Sequence, residues 1–395
     1  MKVGVCYFDD PKLAIDGWAS VAGDSAYRIQ GTQDLASDVF WVTNLDYYDY
    51  RKLQLTSATN IATQQYFRTK LFSIIEEVGS LDDADAATEQ AAKILNRTAI
   101  LGDTLFGAKL GNNQYRYANT LQSLLQSTSM RAQPKGEHAF EVAEALRHAT
   151  QENQAMSSRS VPQGSKAIPF VFPRAGYAKW LLSQKYPSSP NWQRIATKNH
   201  ETSIIGYEAG NQIKGTKSFI ERLETVHKKS AAIFKVTVLS TDPTYAAHST
   251  FGAGKNNIVR QWATVPEIIE LAKHCKLAID DGYHTKKDHL DIKEKIDTEE
   301  LEYSISKGLL LENVWVAIGT PQYSKENRFV SAIAAYMRAY DRIACSRAAI
   351  EFEEHGFIVG SYGVGRVLVY VRPGEEHAVK EVALNNNLVP PARFI

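Results

Sequence analysis

The stretch Phe357–Arg372, which reads FIVGSYGVGRVLVYVR, gives the clearest secondary-structure pattern in the sequence. Two apolar runs, Phe357–Gly360 and Arg366–Arg372, are strand-like and flank a turn rich in glycine. A long helix is predicted before them over Lys325–His355, with Gly356 as its C-terminal stop, and a final helix follows over Gly374–Leu384. This order of helix, strand, glycine turn, strand and helix indicates helices packed on a small sheet.

Further elements with helix or strand periodicity extend this pattern toward the N-terminus. Strands are predicted at Ile168–Phe172, Ala232–Leu239 and Asn313–Gly319. Helices are predicted at Ala175–Lys185 and Thr216–Ser230, from the capping box Thr264–Glu267 to Cys275, and from Asp297 to Gly308. The polar linker Ser157–Lys166 precedes them, so we predict two regions, residues 1–157 and 158–395.

The N-terminal region is predicted to be rich in helix. Strands at Lys2–Phe8 and Asp38–Thr43 come first, and a tyrosine-rich turn follows them. The predicted helices are Ser57–Val78, Ser80–Leu101, Tyr117–Ser127 and Glu137–Gln154. The fold class is therefore mixed α/β (α+β), with a helix-rich N-terminal region and a ferredoxin-like or similar small sheet with helices in the C-terminal region. We expect Lys2–Phe8 to join that C-terminal sheet.

Composition limits the class of protein. The chain has 395 residues, a formal net charge of +1, and 44% hydrophobic and 23% charged residues, as is typical of soluble globular proteins. Three widely spaced cysteines, Cys6, Cys275 and Cys345, fit a reducing compartment better than a disulfide framework. No apolar run approaches the length of a membrane span, so we expect a cytoplasmic protein without a membrane partner.

Positive charge is concentrated in the middle of the chain. Residues 159–229 contain 12 Lys and Arg against 4 Asp and Glu, whereas residues 1–100 contain 9 against 14. Aromatic residues lie among these cations, and cations with interleaved aromatics suit a single-stranded nucleic acid. An ordinary solvated face with core aromatics is the alternative. The proposed nucleic-acid contacts are Arg174, Lys179, Trp180, Lys185, Arg194, Lys255 and Arg366.

Two glycine-rich stretches could bring backbone N–H groups close to a phosphate. They are Gly360–Arg366 (GSYGVGR) and His248–Asn257 (HSTFGAGKNN), where Lys255 would supply charge; neither is a Walker A loop. A hairpin turn and a flexible loop are the respective alternatives. The Gly360–Arg366 stretch resembles the C-terminal glycine-rich loop of the repeat-associated RNA-binding proteins of CRISPR systems. It also resembles the last glycine loop of galactokinase-type small-molecule kinases, although the other signatures of those kinases are absent.

A polar stretch, Asp280–Lys293, contains possible metal ligands. Asp281 with Asp291-Ile-Lys293 resembles the carboxylate and lysine arrangement of restriction-endonuclease-like nucleases, which implies Mg²⁺-dependent cleavage of phosphodiesters. Either His284 with Asp288, or Asp288 and His289 with Asp291, could instead ligate a transition metal. With six Lys and six Asp or Glu over residues 273–297, the stretch is also typical of a solvated loop or charged hairpin.

These patterns lead to a main functional prediction and two alternatives. The main prediction is a non-enzymatic subunit that binds RNA or single-stranded DNA within a larger complex, with other protein subunits as partners and with no cofactor, metal or catalytic residue. The first alternative is a metal-dependent nuclease or other phosphodiester-processing enzyme. The second alternative is a small-molecule phosphotransferase that uses the glycine loops.

Overall fold

The chain forms two compact units in a computed structural model. The first unit comprises residues 1–132 and 294–317, and the second comprises residues 133–293 and 318–395. The structure describes residues 2–54, 60–62, 83–106, 138–150, 155–156, 160–195, 201–241, 253–254, 257–258, 261–290, 304–319 and 330–390. The division predicted between residues 157 and 158 stays a prediction.

The described elements are numbered in chain order. The helices are α1 (Tyr47–Lys52), α2 (Ala84–Phe106), α3 (Phe140–Thr150), α4 (Arg174–Leu182), α5 (Thr216–Lys229), α6 (Val265–Leu271), α7 (Ser304–Ile318), α8 (Ala332–Glu354) and α9 (Glu376–Asn385). The strands of the N-terminal half are β1 (Lys2–Asp10), β2 (Ile15–Val21), β3 (Tyr27–Gly31), β4 (Val39–Thr43), β5 (Ile61–Ala62), β6 (Ala155–Met156), β7 (Lys166–Val171), β8 (Lys185–Pro187) and β9 (Gln193–Ile195). The remaining strands are β10 (Ser203–Glu208), β11 (Asn211–Gln212), β12 (Ser230–Thr241), β13 (Ala253–Gly254), β14 (Asn257–Ile258), β15 (Trp262–Thr264), β16 (Cys275–His289), β17 (Ile358–Tyr362) and β18 (Arg366–Val371).

A mixed five-stranded sheet organises the first unit. Its order is β3-β2-β1-β4-β5, in which β1, β2 and β3 are antiparallel neighbours while β4 runs parallel to β1 and β5 parallel to β4. Every residue of β4 (VFWVT) is buried, as expected for a continuous apolar strand in a parallel pair. Gly4 of β1 is required because a Cβ there would lie 2.5 Å from the Trp41 ring.

This sheet corrects two predictions. A helix-rich N-terminal region is not confirmed, because the part predicted as a loop between the first two strands contains β2 and β3. Lys2–Phe8 also does not join the C-terminal sheet: β1 pairs with β2 and β4, whereas β18 pairs with β17 and β7. The predicted helices Ser57–Val78 and Tyr117–Ser127 lie almost entirely outside the described residues.

A long strand, β16, is the centre of one sheet in the second unit. The order is β11-β10-β16-β12-β15, and β8 and β9 also pair with β16. The apolar residues Cys275, Leu277 and Ile279 of β16 share a buried core with Leu223 of α5 and Ile268 of α6. The capping box predicted at Thr264 and Glu267 is confirmed as the start of α6.

A second sheet in the same unit has the order β6-β17-β18-β7. Val359 and Val369 from the β17–β18 hairpin pack with Phe352 of α8 and Val379 of α9 in one core. The helix, hairpin and helix predicted at the end of the chain are therefore present. Because these are antiparallel strands covered by helices, the mixed α/β class is confirmed; the ferredoxin-like arrangement is not.

The apolar run and the glycine before α8 lead to two wrong predictions, a strand and a helix end. Asn313–Gly319 was predicted as a strand, but residues 313–318 belong to helix α7, which also continues through Gly308. A short apolar run does not distinguish a buried strand from a buried helix, and that ambiguity caused the error. No helix among the described residues is long and apolar enough to cross a membrane. A location in the cytoplasm stays a prediction.

Candidate functional site

The polar half of β16 is a strand and not the solvated loop that its composition suggested. Its last residues pair with β8, where Lys287 lies opposite Pro187 and His289 opposite Lys185. Tyr283 lies opposite Arg194 of β9. Alternation along these strands places Lys185, Lys287 and His289 on one face of the ladder.

We name Lys185, His227, Lys287 and His289 the basic cluster. Lys287 Nζ lies 3.4 Å from His227 Nδ1 at the end of α5, so the ammonium group donates to the ring nitrogen. The His227 ring stacks on Tyr336 of α8 at 6.4 Å between ring centroids. The Tyr336 hydroxyl in turn donates to the Ala232 carbonyl oxygen at 2.7 Å. His227 is therefore held in place from two sides.

The basic cluster has unusual protonation properties. Burial, and then the positive charge of Lys185, lowers the pKa of Lys287 from 10.5 to about 8. Burial, and then the charge of Lys287, lowers the pKa of His227 from 6.5 to about 4. In the described part of the chain, Lys287 forms no ion pair with a carboxylate. Two neighbouring lysines that have no carboxylate partner in the described part of the chain favour an anion as ligand. A lysine with a pKa near 8 also suits acid–base catalysis.

Asp281, the first proposed metal ligand, is engaged elsewhere. Its Oδ2 accepts a hydrogen bond from Arg194 Nε at 3.1 Å and another from Arg194 Nη2. Asp291 and Lys293, which would complete the nuclease arrangement, lie outside the described residues. Among the residues that are described, no three His, Cys, Asp or Glu side chains come close enough to hold a metal ion. The transition-metal set of Asp288, His289 and Asp291 is not tested, because Asp291 lies outside the described residues.

The turn Gly363–Gly365 forms an anion-binding nest that is already filled. All three residues have positive φ, at 124°, 57° and 69°, and successive residues of this kind turn their N–H groups inward. The buried carboxylate of Asp341, on α8, accepts from Val364 N–H at 2.6 Å and from Gly365 N–H at 2.7 Å. The Tyr177 hydroxyl donates to the same carboxylate at 2.7 Å. A phosphate would have to displace Asp341, so the hairpin-turn alternative describes this stretch better than a ligand loop.

The other proposed nucleic-acid contacts fall into separate groups. Arg174, Lys179 and Trp180 are exposed on α4, and Lys185 begins β8 three residues after that helix ends. Arg366 begins β18 opposite Val171, which is close to the start of α4. Arg194 is balanced by Asp281, as described above. Lys255 lies outside the described residues, although its neighbours Ala253–Gly254 and Asn257–Ile258 form a small antiparallel ladder.

Carboxylates at the end of β1 have structural partners. Asp9 forms an ion pair with Arg28, and Asp10 Oδ1 accepts from the Lys12 and Leu13 N–H groups at 2.9 and 3.2 Å. Asn44, after β4, exchanges two hydrogen bonds of 2.8 Å with the backbone of Phe8. These residues hold the turn after β1 and the end of β4.

Sequence reasoning did not single out Lys287 or His227. Lys287 was counted among the charges of a supposed loop, and His227 ends a helix 60 residues earlier. The charged helix end His227–Lys229 and the strand that follows it were both visible in the sequence. What the sequence could not show is that β16 pairs with both β12 and β8, which places Lys287 beside His227.

Among the comparisons with known proteins, the search of solved structures returns matches. No protein-family model matches the chain, and curated proteins give no significant match. The orthorhombic crystal form of Phi29 DNA polymerase aligns with a TM-score of 0.47 at 7% identity, over 93% of this chain and 80% of that chain. Its ternary complex with primer-template DNA and nucleotide gives 0.45 at 8%, over 96% and 82%. The family B DNA polymerase of Pyrobaculum calidifontis gives 0.33 at 10%, over 99% and 56%.

The main functional prediction is corrected at this point. It expected a non-enzymatic subunit that binds RNA or single-stranded DNA within a larger complex, and this prediction is not retained: the similar solved structures named above are described as DNA polymerases and not as subunits of that kind. The resemblance to CRISPR repeat-associated proteins depended on the glycine turn, and that turn holds an internal carboxylate.

Proposed function

We propose that the chain is a phosphodiester-processing enzyme that acts on nucleic acid and binds phosphate at the basic cluster. The observation that carries this proposal is Lys287, a partly buried lysine with a pKa of about 8 that is hydrogen-bonded to His227 and adjacent to Lys185. An anion in the cluster would neutralise the two lysines, and every linkage of a nucleic acid supplies one.

The chemistry follows from the protonation states. At neutral pH Lys287 is mostly protonated, and the pKa of His227, lowered to about 4, leaves its ring neutral and able to accept a hydrogen bond from the lysine. In hydrolysis, water attacks phosphorus, the bond from phosphorus to the leaving oxygen breaks, and that oxygen takes a proton from Lys287 Nζ. Solvent then restores the proton on Lys287, and the proton of the attacking water passes to solvent. A general acid of this kind typically contributes about 10²–10⁴-fold in rate.

A cleavage assay with matched variants tests this function. End-labelled single-stranded DNA, duplex DNA and RNA would be incubated with the protein, with Mg²⁺ or with EDTA, between about pH 6 and about pH 10. We expect strand cleavage whose kcat/KM falls above about pH 8, where Lys287 loses its proton. Lys287→Met should reduce cleavage at least about 100-fold. Lys286→Met is the control, because that neighbouring lysine is exposed on the opposite face of the strand.

Two results would contradict the proposal. One is intact strands under every condition with the wild-type protein. The other is equal loss of cleavage in the two lysine variants, because this would indicate a dependence on total charge and not on the basic cluster.

A further inference from the structure

An aromatic stack leads from the second sheet toward the basic cluster. Phe172 and Tyr177 are stacked with ring centroids 4.5 Å apart and an interplanar angle of 7°, and Trp180 follows at 5.5 Å and 33°. The bond from the Tyr177 hydroxyl to Asp341 fixes the middle ring. Trp180 ends the stack, and 40% of its surface is exposed. A large rigid aromatic is thus held at the surface in a fixed orientation.

Trp180 follows Gly176 by one turn of α4, and both residues are exposed. Side chains on a helix lean toward its N-terminus, over the residues three and four positions earlier. For Trp180 these are Tyr177, which forms the stack, and Gly176, which has no side chain. A Cβ placed at Gly176 would meet no atom within 4 Å. Gly176 therefore leaves open space on the exposed face of α4, one turn before the tryptophan. A glycine inside a helix costs about 1 kcal/mol relative to alanine.

This open space lies near the basic cluster. Ser183 and Gln184 both hydrogen-bond to the Trp180 carbonyl oxygen, at 2.8 and 2.9 Å. The Ser183 carbonyl oxygen lies 3.0 Å from Nδ1 of His289, and Lys185 is two residues further along the chain. Trp180, which offers an aromatic surface, and Lys185, which would bind phosphate, thus lie at the two ends of one short segment of chain. This arrangement matches the alternation of base and phosphate along a nucleic-acid strand.

We propose that Trp180 stacks on an unpaired base while Lys185 and its neighbours bind the adjoining phosphate, so that the substrate is single-stranded nucleic acid. This inference deepens the proposed function and rests on it for the identity of the ligand. A base in a duplex is covered on both faces by its neighbours and cannot stack on Trp180. A single strand exposes the faces of its bases, and aromatic stacking accepts any of them.

Fluorescence anisotropy with two labelled oligonucleotides tests the stacking. One is a thymidine strand of about 12 nucleotides, and the other has the same length but consists of abasic sites, so that it retains the phosphates without bases. We expect the wild-type protein to bind the thymidine strand more tightly than the abasic strand. Trp180→Ala should weaken thymidine binding about five- to one-hundred-fold and leave abasic binding unchanged, because only stacking is lost. Trp180→Phe should recover part of the affinity.

A second variant removes the open space without removing the tryptophan. Gly176→Leu introduces a better helix former, so α4 should fold at least as well, while the new side chain occupies the space for the base. It should weaken thymidine binding as Trp180→Ala does. Equal affinity of the wild type and both variants for the thymidine strand would overturn the inference.

The outcomes separate this inference from the proposed function. Binding that depends on Trp180 without strand cleavage would support the stacking site and overturn the enzyme. Cleavage by a protein that binds thymidine and abasic strands equally would leave the enzyme in place and overturn the stacking site.

Discussion

At the scale of the residue, Asp341 connects two parts of the second unit. Its carboxylate holds the glycine turn, and through Tyr177 it also positions the aromatic stack. Its Oδ1 lies 3.6 Å from Cys345 Sγ. A buried carboxylate with three strong donors is stabilised by them, and its removal leaves those donors without an acceptor.

The change Asp341→Asn should therefore lower the free energy of unfolding by about 3 kcal/mol. The hydrogen bonds that the carboxylate accepts would lose their charge assistance, and the amide NH₂ group that replaces one carboxylate oxygen would face the N–H and O–H donors. Asp288→Asn is the control: within the described residues that exposed carboxylate bonds only to the N–H of His289, so its loss should change stability by less than about 0.5 kcal/mol. Denaturant titration of the two variants measures this difference. Similar losses in both would refute the central role of Asp341.

Two arginines of α8 provide a second comparison at this scale. Arg342 and Glu267 form a fully buried ion pair, in which Arg342 Nε and Nη2 donate to Glu267 Oε1 at 3.0 and 2.6 Å. Glu267 also caps α6, because its Oε2 accepts a hydrogen bond from the Thr264 N–H. Arg347 makes similar bonds to Glu270, but 61% of its side chain is exposed.

Arg342→Met should cost about 3–5 kcal/mol in unfolding free energy, because it leaves a carboxylate buried without its cation. Arg347→Met should cost about 1 kcal/mol or less, because the Arg347 side chain is exposed and Lys273 still pairs with Glu270 at 2.9 Å. The midpoints of thermal unfolding should show this ranking, and the reverse ranking would mean that burial does not determine the strength of these two pairs.

At the scale of the element, two glycines illustrate opposite requirements. Gly282 of β16 faces β12, and a Cβ there would lie 2.5 Å from both the Ile233 carbonyl oxygen and the Phe234 ring. Gly176 of α4 faces open space.

Gly282→Ala should destabilise the protein, because the clash with backbone requires β12 and β16 to move apart. Gly176→Ala should stabilise it by about 1 kcal/mol through helix propensity alone. Denaturant unfolding of the pair measures both effects, and stabilisation by Gly282→Ala would show that the strands separate at little cost.

Local signals in the sequence were sufficient for several elements and insufficient for others. The capping box at Thr264 and the glycine hairpin after α8 depend on neighbouring residues, and both were predicted correctly. β16 was misread as a loop because its last residues are charged, and a strand that carries charge is recognised only through its partners. The pairing of β1 with β4 and the contact between Lys287 and His227 depend on residues far apart in the chain, which no local pattern encodes.

At the scale of the whole molecule, acid should weaken the fold in two steps. The pKa of His227 is lowered to about 4, so the unfolded chain binds more protons at this residue than the folded chain does. Its contribution to stability is complete above about pH 6.5 and decreases as the pH falls toward 4. The bonds from Arg347 and Lys273 outweigh burial and lower the pKa of Glu270, so the contribution of that group is lost as the pH falls below the usual range of a glutamate.

The variant His227→Gln should remove the first step and retain the second. Melting temperatures measured between about pH 4 and about pH 7 should therefore fall more steeply for the wild type than for this variant. Parallel curves would show that His227 is protonated equally in the folded and unfolded chains.

The bond from α8 to the glycine turn also has a consequence for how the chain folds. The Asp341 carboxylate and the N–H groups of Val364 and Gly365 that donate to it are separated by only 23 and 24 residues. The strands β6 and β7, by contrast, pair with the same hairpin from about 200 positions away. Short loops close with a smaller loss of chain entropy than long ones. We therefore expect α8 and the hairpin to form the early nucleus of the second unit, with the distant strands added afterwards.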